Sequence, residues 1–185
     1  MARTLRGMAA EPGEREDIQL WSRWLKDHTD RIDNSWESDT TQYFGSGQTK
    51  DIWQLAYFWA RDINSGHVGH MMDRWVTNAE EGFMRTVPLR IRTHDSEQIP
   101  PFSVNTINTW LAIEGMFRHR IESAAVAVTL GHIDGMNRDH GAPVTPEAWD
   151  QNDKPWGSMY CGWDESILLP LIDRISGIDF DLMED

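Results

Sequence analysis

The most apolar segment of the chain, "LAIEGMFRHRIESAAVAVTLGHIDG" (Leu111–Gly135), carries, among its seven ionisable side chains, Glu114, Arg118, His119, Glu122 and His132. A carboxylate and a guanidinium four residues apart on a helix lie one turn from each other. In apolar surroundings such a pair can serve as general base and anion clamp, or as a packed ion pair. Glu114 and Arg118 are therefore the first catalytic candidates. His119-x-x-Glu122 suggests half of a dinuclear carboxylate centre, which needs two inward Glu-x-x-His pairs and two further glutamates. Here the order is reversed and no second copy follows. His67 and His70 stand three apart and could grip one metal, yet no "HExxH" and no third ligand at a recognised offset accompany them. The sequence thus predicts no metal and no cofactor, with His67, His70, His119 and Glu122 as the weak candidates.

Placing the residues by angle divides the apparent kit. With Glu114 at 0° and about 100° per residue, Arg118 falls at about 40° and His132 at about 0°. The apolar stripe of Ile107, Trp110, Phe117, Ile121, Ala125 and Val128 spans the same face. Glu122 sits at the stripe's edge, near about 80°, and His119 at about 140°, which predicts an outward ring. On an unbroken helix His132 would be about 27 Å from Glu114, so the two cannot share a site.

No other nucleophile signature occurs: there is no "GxSxG", "CxxC" or "GxGxxG", and "GSG" at 45–47 lacks a following "GK[ST]". Cys161 is the single cysteine, so intrachain disulfides and a cysteine-based zinc site are excluded. A reducing, cytoplasmic setting is the default expectation, or a virion if the source is a phage.

The elements that must position these residues are mostly helical. Residues 1–14 read as a loose arm. A helix over 15–33 has Ile18, Trp21, Leu25, His28 and Ile32 on one stripe, which should face the core. Polar residues 35–51 read as a loop, followed by helices over 50–64 and 67–83, broken at Ser65-Gly66. Val87, Leu89, Ile91 and Thr93 alternate with polar residues, as do Ile178, Phe180 and Leu182, which predicts a minor two-stranded ribbon of 87–93 with 178–182. The long helix 104–133 is the expected centre. Residues 134–163 read as a long Pro/Gly loop, with Thr145-Pro146-Glu147 opening a short helical turn. A last helix over 164–176 is distorted at Pro170 and capped at Gly177. The predicted fold is mainly α, a single domain over 15–185 with about five helices around a central one.

Composition limits the partners. A net charge of −13 argues against binding a nucleic-acid backbone, and residues 147–185 hold ten acids against two bases. No apolar run approaches the ~20 residues of a membrane span. Ten tryptophans, spread along the chain, suit core filling and interfaces. From these features the favoured expectation is a non-enzymatic assembly factor with a protein partner or a homo-oligomeric state, a subunit of a phage particle included. The alternatives are a small helical enzyme or binding protein with a Trp-lined pocket around Glu114 and Arg118, and an acidic mimic of nucleic acid.

Overall fold

The structure, a computed structural model, describes residues 12–43, 52–60, 62–78, 80–90, 104–138, 145–160, 162 and 164–177. Helix α1, Pro12–Asn34, begins with proline at its first position, where no amide hydrogen is needed. Its apolar stripe does not enter the core as expected. Leu20, Trp21, Trp24 and Leu25 are 54, 46, 51 and 42% exposed. The helix is attached at its C-terminal end, where Thr29 is buried, Ile32 packs on the core, and Asp33 accepts from the Asn64 amide at 2.9 Å.

A small hairpin, β1 (Trp36–Glu37) with β2 (Gln42–Tyr43), occupies the expected polar loop. Residues Ile52–Trp59 form a 3-10 helix rather than an α-helix. Its buried residues, Ile52, Leu55 and Phe58, recur every third position, which matches three residues per turn. Helix α2, Ser65–Met71, is capped by the Asn64 side chain accepting from the Gly66 amide, and it continues as a π-helical turn, Met72–Val76.

The expected central helix is two helices. Helix α3 runs Thr106–Arg118 and α4 runs Glu122–Asn137, packed on each other. Between them Arg120 adopts φ 61°; its amide bonds the Phe117 carbonyl and the Ile121 amide bonds that of Met116. This is a Schellman termination with arginine where glycine is usual, so no glycine marks the break. Helix α3 remains the centre: Ala112, Ile113, Glu114, Gly115 and Met116 are all buried. Its Gly115 lies against Phe58, whose Cβ would be 2.4 Å from an added methyl.

Inside the predicted loop 134–163 lie two strands of a three-stranded sheet, formed by β3 (Val104–Asn105), β4 (Ala148–Trp149) and β5 (Pro155–Trp156). Val104 pairs with Trp149, and Ala148 with Trp156. Thr145-Pro146-Glu147 opens no helical turn: Thr145 bridges to Tyr160 and leads into β4, because the backbone groups here are taken by the facing strand. Residues 178–182 of the expected ribbon lie outside the described residues; Arg90 bridges to Val104. The C-terminal region is a chain of short turns, a 3-10 helix Asp164–Ile167, α5 (Leu168–Pro170) and a π-helical turn Leu171–Ile175, with Gly177 at φ 68° closing it. None of the described helices is long and apolar enough to cross a membrane.

Candidate functional site

Glu114 is 8% exposed, and its carboxylate lies 3.5 Å from Nη2 of Arg174 on the C-terminal π-helical turn. Arg174 also meets Asp173 at 3.2 Å. The expected partner, Arg118, turns elsewhere. Its guanidinium lies 4.1 Å from the centre of the Trp59 ring and donates to the Trp59 carbonyl at 3.4 Å. Trp59 in turn donates Nε1–H to the Leu111 carbonyl at 2.8 Å and meets Trp110 edge-on at 5.6 Å. Arg118 and Trp110 therefore both contact Trp59, while Glu114 fastens α3 to the C-terminal turns.

The remaining candidates separate. His119 is half-buried against Phe58, not outward, with ring centres 6.0 Å apart. The face near 140° on α3 holds small residues such as Ala112 and Gly115, and the 52–59 helix approaches closely there. Burial lowers the His119 pKa, partly offset by backbone groups of Phe58 and Ala60. Glu122 is exposed in the first turn of α4, where an acid favours the helix dipole. His67 stacks on Trp36 at 4.3 Å with Nδ1 3.5 Å from Asp33, whereas His70 is exposed. Among the described residues no group of three His, Cys, Asp or Glu could hold a metal ion.

His132 is fully buried beside the Pro88 carbonyl, to which Nδ1–H donates at 2.7 Å, and edge-on to Trp149 at 4.6 Å. Desolvation lowers its pKa to about 4. The helix break leaves it apart from Glu114 all the same: one faces Pro88 and Trp149, the other Arg174.

One carboxylate that pattern reasoning passed over stands on the sheet. Glu147 precedes β4. Its amide donates to the Ser158 carbonyl at 2.8 Å, and its own carbonyl accepts from the Thr106 amide and Asn105 Nδ2, each at 3.4 Å. The Thr106 hydroxyl adds a bond to the Pro146 carbonyl at 3.0 Å. Backbone and side-chain bonds thus fix this residue to the N-terminal end of α3. Its half-buried carboxylate takes the Ser158 amide at 3.5 Å and lies over Gly157, where an added Cβ would come within 2.7 Å of Oε2. Gly157 has φ 81°, a backbone state that glycine adopts readily. In sequence, Trp156 and Tyr160, 41 and 74% exposed, flank Gly157 and Ser158. A carboxylate on an anchored backbone, with exposed aromatic residues on the same hairpin, suits a ligand that has both hydroxyls and apolar ring faces. The sequence signal lies in "PEAW" and "KPWG": a strand-like pair facing a glycine, hidden by the high turn content around it.

No protein family matches the sequence, and no curated protein does. Solved structures do match. One is a GH63 mannosylglycerate hydrolase from Thermus thermophilus, solved in complex with glucose. The TM-score is 0.65 at 15% identity, over 84% of this chain and 41% of that one. This chain therefore spans well under half the length of the structure it is similar to. At this identity the likeness establishes shared architecture. It overturns the expectation of a non-enzymatic assembly factor, because the architecture is one that an enzyme uses. The chain is, in fold, similar to part of a glycoside hydrolase.

Proposed function

We propose that this chain is a carbohydrate-acting helical domain and that Glu147 is a carboxylate of its site. The observation that carries the reading is the placement of Glu147: half-buried, fixed to the end of α3, and followed on the same hairpin by exposed Trp156 and Tyr160. The neighbouring structure is named for hydrolysing mannosylglycerate and holds glucose, which supports a carbohydrate as the substrate class of this proposal. Glycoside cleavage uses two carboxyl groups, one protonating the leaving oxygen and the other acting as base or nucleophile. Glu147 is assigned to one of those roles. In this reading Glu114 and Arg118 are positioning residues: Glu114 fixes the C-terminal turns on α3, and Arg118 orders Trp59 and with it the 52–59 helix. The cytoplasmic setting expected from a single cysteine belongs to the same proposal.

The test is titration of the purified chain with glucose and with mannosylglycerate, followed by tryptophan fluorescence and by product release. Saturable binding is expected, weakened about tenfold or more in Glu147→Gln, because a hydrogen bond to a charged group is lost. Absence of saturable binding by the unmodified chain, or equal binding by Glu147→Gln, would overturn the reading.

A further inference from the structure

We infer that α1 is an association helix that pairs antiparallel with α1 of a second copy of this chain, about a two-fold axis between Ser22 and Arg23. From Glu16 to His28 no residue of α1 is buried; Ile18 and Ser22 are half-buried, and the face that carries Trp21, Trp24 and His28 is exposed. An apolar helix face left exposed adds little tertiary stabilisation, since amphipathic helices depend on burying that face. The face left open is large and aromatic: Trp21 and Trp24 meet edge-on at 5.9 Å, and the Trp24 and His28 rings, tilted 34° to each other, have centres 4.0 Å apart. Exposed apolar faces of this kind mark association surfaces.

The order of residues identifies the occupant. "LWSRWL", Leu20–Leu25, reads the same in both directions apart from its central Ser-Arg. In an antiparallel pair about the Ser22/Arg23 midpoint, Trp21 falls opposite Trp24 of the second copy and Leu20 opposite Leu25. The match continues outward along the same stripe. Asp17 falls opposite His28, and the sequence sets Glu14 opposite Arg31. Positions 14, 21 and 28 and positions 17, 24 and 31 are successive a and d sites of three heptads, and each a site meets a d site in this register. A two-fold axis repeats every pair, so one surface recognises itself. A parallel pair would instead oppose Glu14 to Glu14 and Arg31 to Arg31. Charge complementarity therefore selects both a second copy and its direction. Thr29, which is buried, projects about 80° from Trp21, and Ile32, which packs on the core, about 20°, so the body borders the seam at its C-terminal end while Trp21 and Trp24 at its centre stay exposed.

The experiment is light scattering on the 185-residue chain over a roughly hundredfold concentration range, with circular dichroism to monitor folding. The expected mass is twice 21.4 kDa at high concentration. Trp21→Glu should give a monomer with unchanged helicity. Glu14→Arg should weaken the dimer about tenfold, by opposing two cations, and the double variant Glu14→Arg/Arg31→Glu should restore it. A chain that stays monomeric throughout would overturn the inference, even if it captured a different protein. So would a dimer insensitive to Trp21→Glu, or a double variant no tighter than Glu14→Arg.

Discussion

Glu114 and Arg174 are sixty residues apart in sequence and 3.5 Å apart in space. The carboxylate is buried and the guanidinium is partly open to solvent, with side-chain exposures of 10 and 40%. Removing the cation leaves a buried charge without its partner, whereas neutralising the acid removes that charge itself. Arg174→Met should therefore destabilise more than Glu114→Gln, by about 2 kcal/mol against about 1 once solvent screening of Arg174 is allowed for. Urea unfolding of the two variants measures the asymmetry, and equal losses would contradict it.

Gly115 lets α3 and the 52–59 helix approach so closely that an alanine methyl would lie 2.4 Å from Phe58 Cβ. Neither backbone can yield without moving a whole helix. Gly115→Ala should cost about 1–3 kcal/mol, despite alanine's better helix propensity. Pairing it with Phe58→Gly, which removes the clashing Cβ, should recover part of the loss relative to Phe58→Gly alone if the clash is the cause, which a double-mutant cycle reads directly.

His132 makes stability depend on pH. Its ordinary pKa of 6.5 is lowered to about 4 in the folded chain by burial. Above the ordinary value both states are neutral and no stability is lost. As pH falls from 6.5 towards 4, the unfolded chain takes up a proton that the folded chain refuses, and stability declines. The full loss is roughly 3 kcal/mol at one site. Urea midpoints should drop between neutral pH and pH about 4, and His132→Gln should flatten that limb. An unchanged slope in the variant would remove His132 as the cause.

Gly157→Ala tests the seat of the Glu147 carboxylate. A methyl there meets Oε2 at 2.7 Å, and φ 81° strains any L side chain. The loss of stability should be about 1–2 kcal/mol. Sugar binding should fall with it, because the carboxylate must turn away. Binding that survives in a folded Gly157→Ala chain would detach the glycine from the site.

The helical character was legible because it rests on periodicity, but the expected break at Ser65-Gly66 lies earlier: the 52–59 helix ends at Trp59, and Ser65 and Gly66 are already the first residues of α2 behind the Asn64 cap. The break within 104–133 was not legible, because Arg120 occupies a left-handed position without the glycine that normally reveals one. Nor was the fate of the α1 stripe: periodicity says which residues share a face, not what covers it. Glu114 was rightly singled out as needing a partner, but local spacing offered Arg118, and the nearer guanidinium in space comes from the C-terminal turns. Glu147 escaped because its setting depends on pairing between 104–105, 148–149 and 155–156, a long-range arrangement that turn-rich sequence conceals.

The left-handed turn at Arg120 also bears on folding order. It joins α3 and α4 through residues 119–121, so their docking closes a very short loop and needs little chain entropy. Pairing of Val104 with Trp149 must instead bring together residues 45 positions apart in sequence. Low contact order favours early formation, so we expect the α3–α4 pair to assemble first and the sheet to close later. Substitutions in the helix pair, such as Val128→Ala, should then slow folding, while Trp149→Phe should chiefly accelerate unfolding. The segment carrying Glu147 would be the last to lock and the first to open, which leaves this part of the molecule free to yield to a ligand without disturbing the helices beneath it.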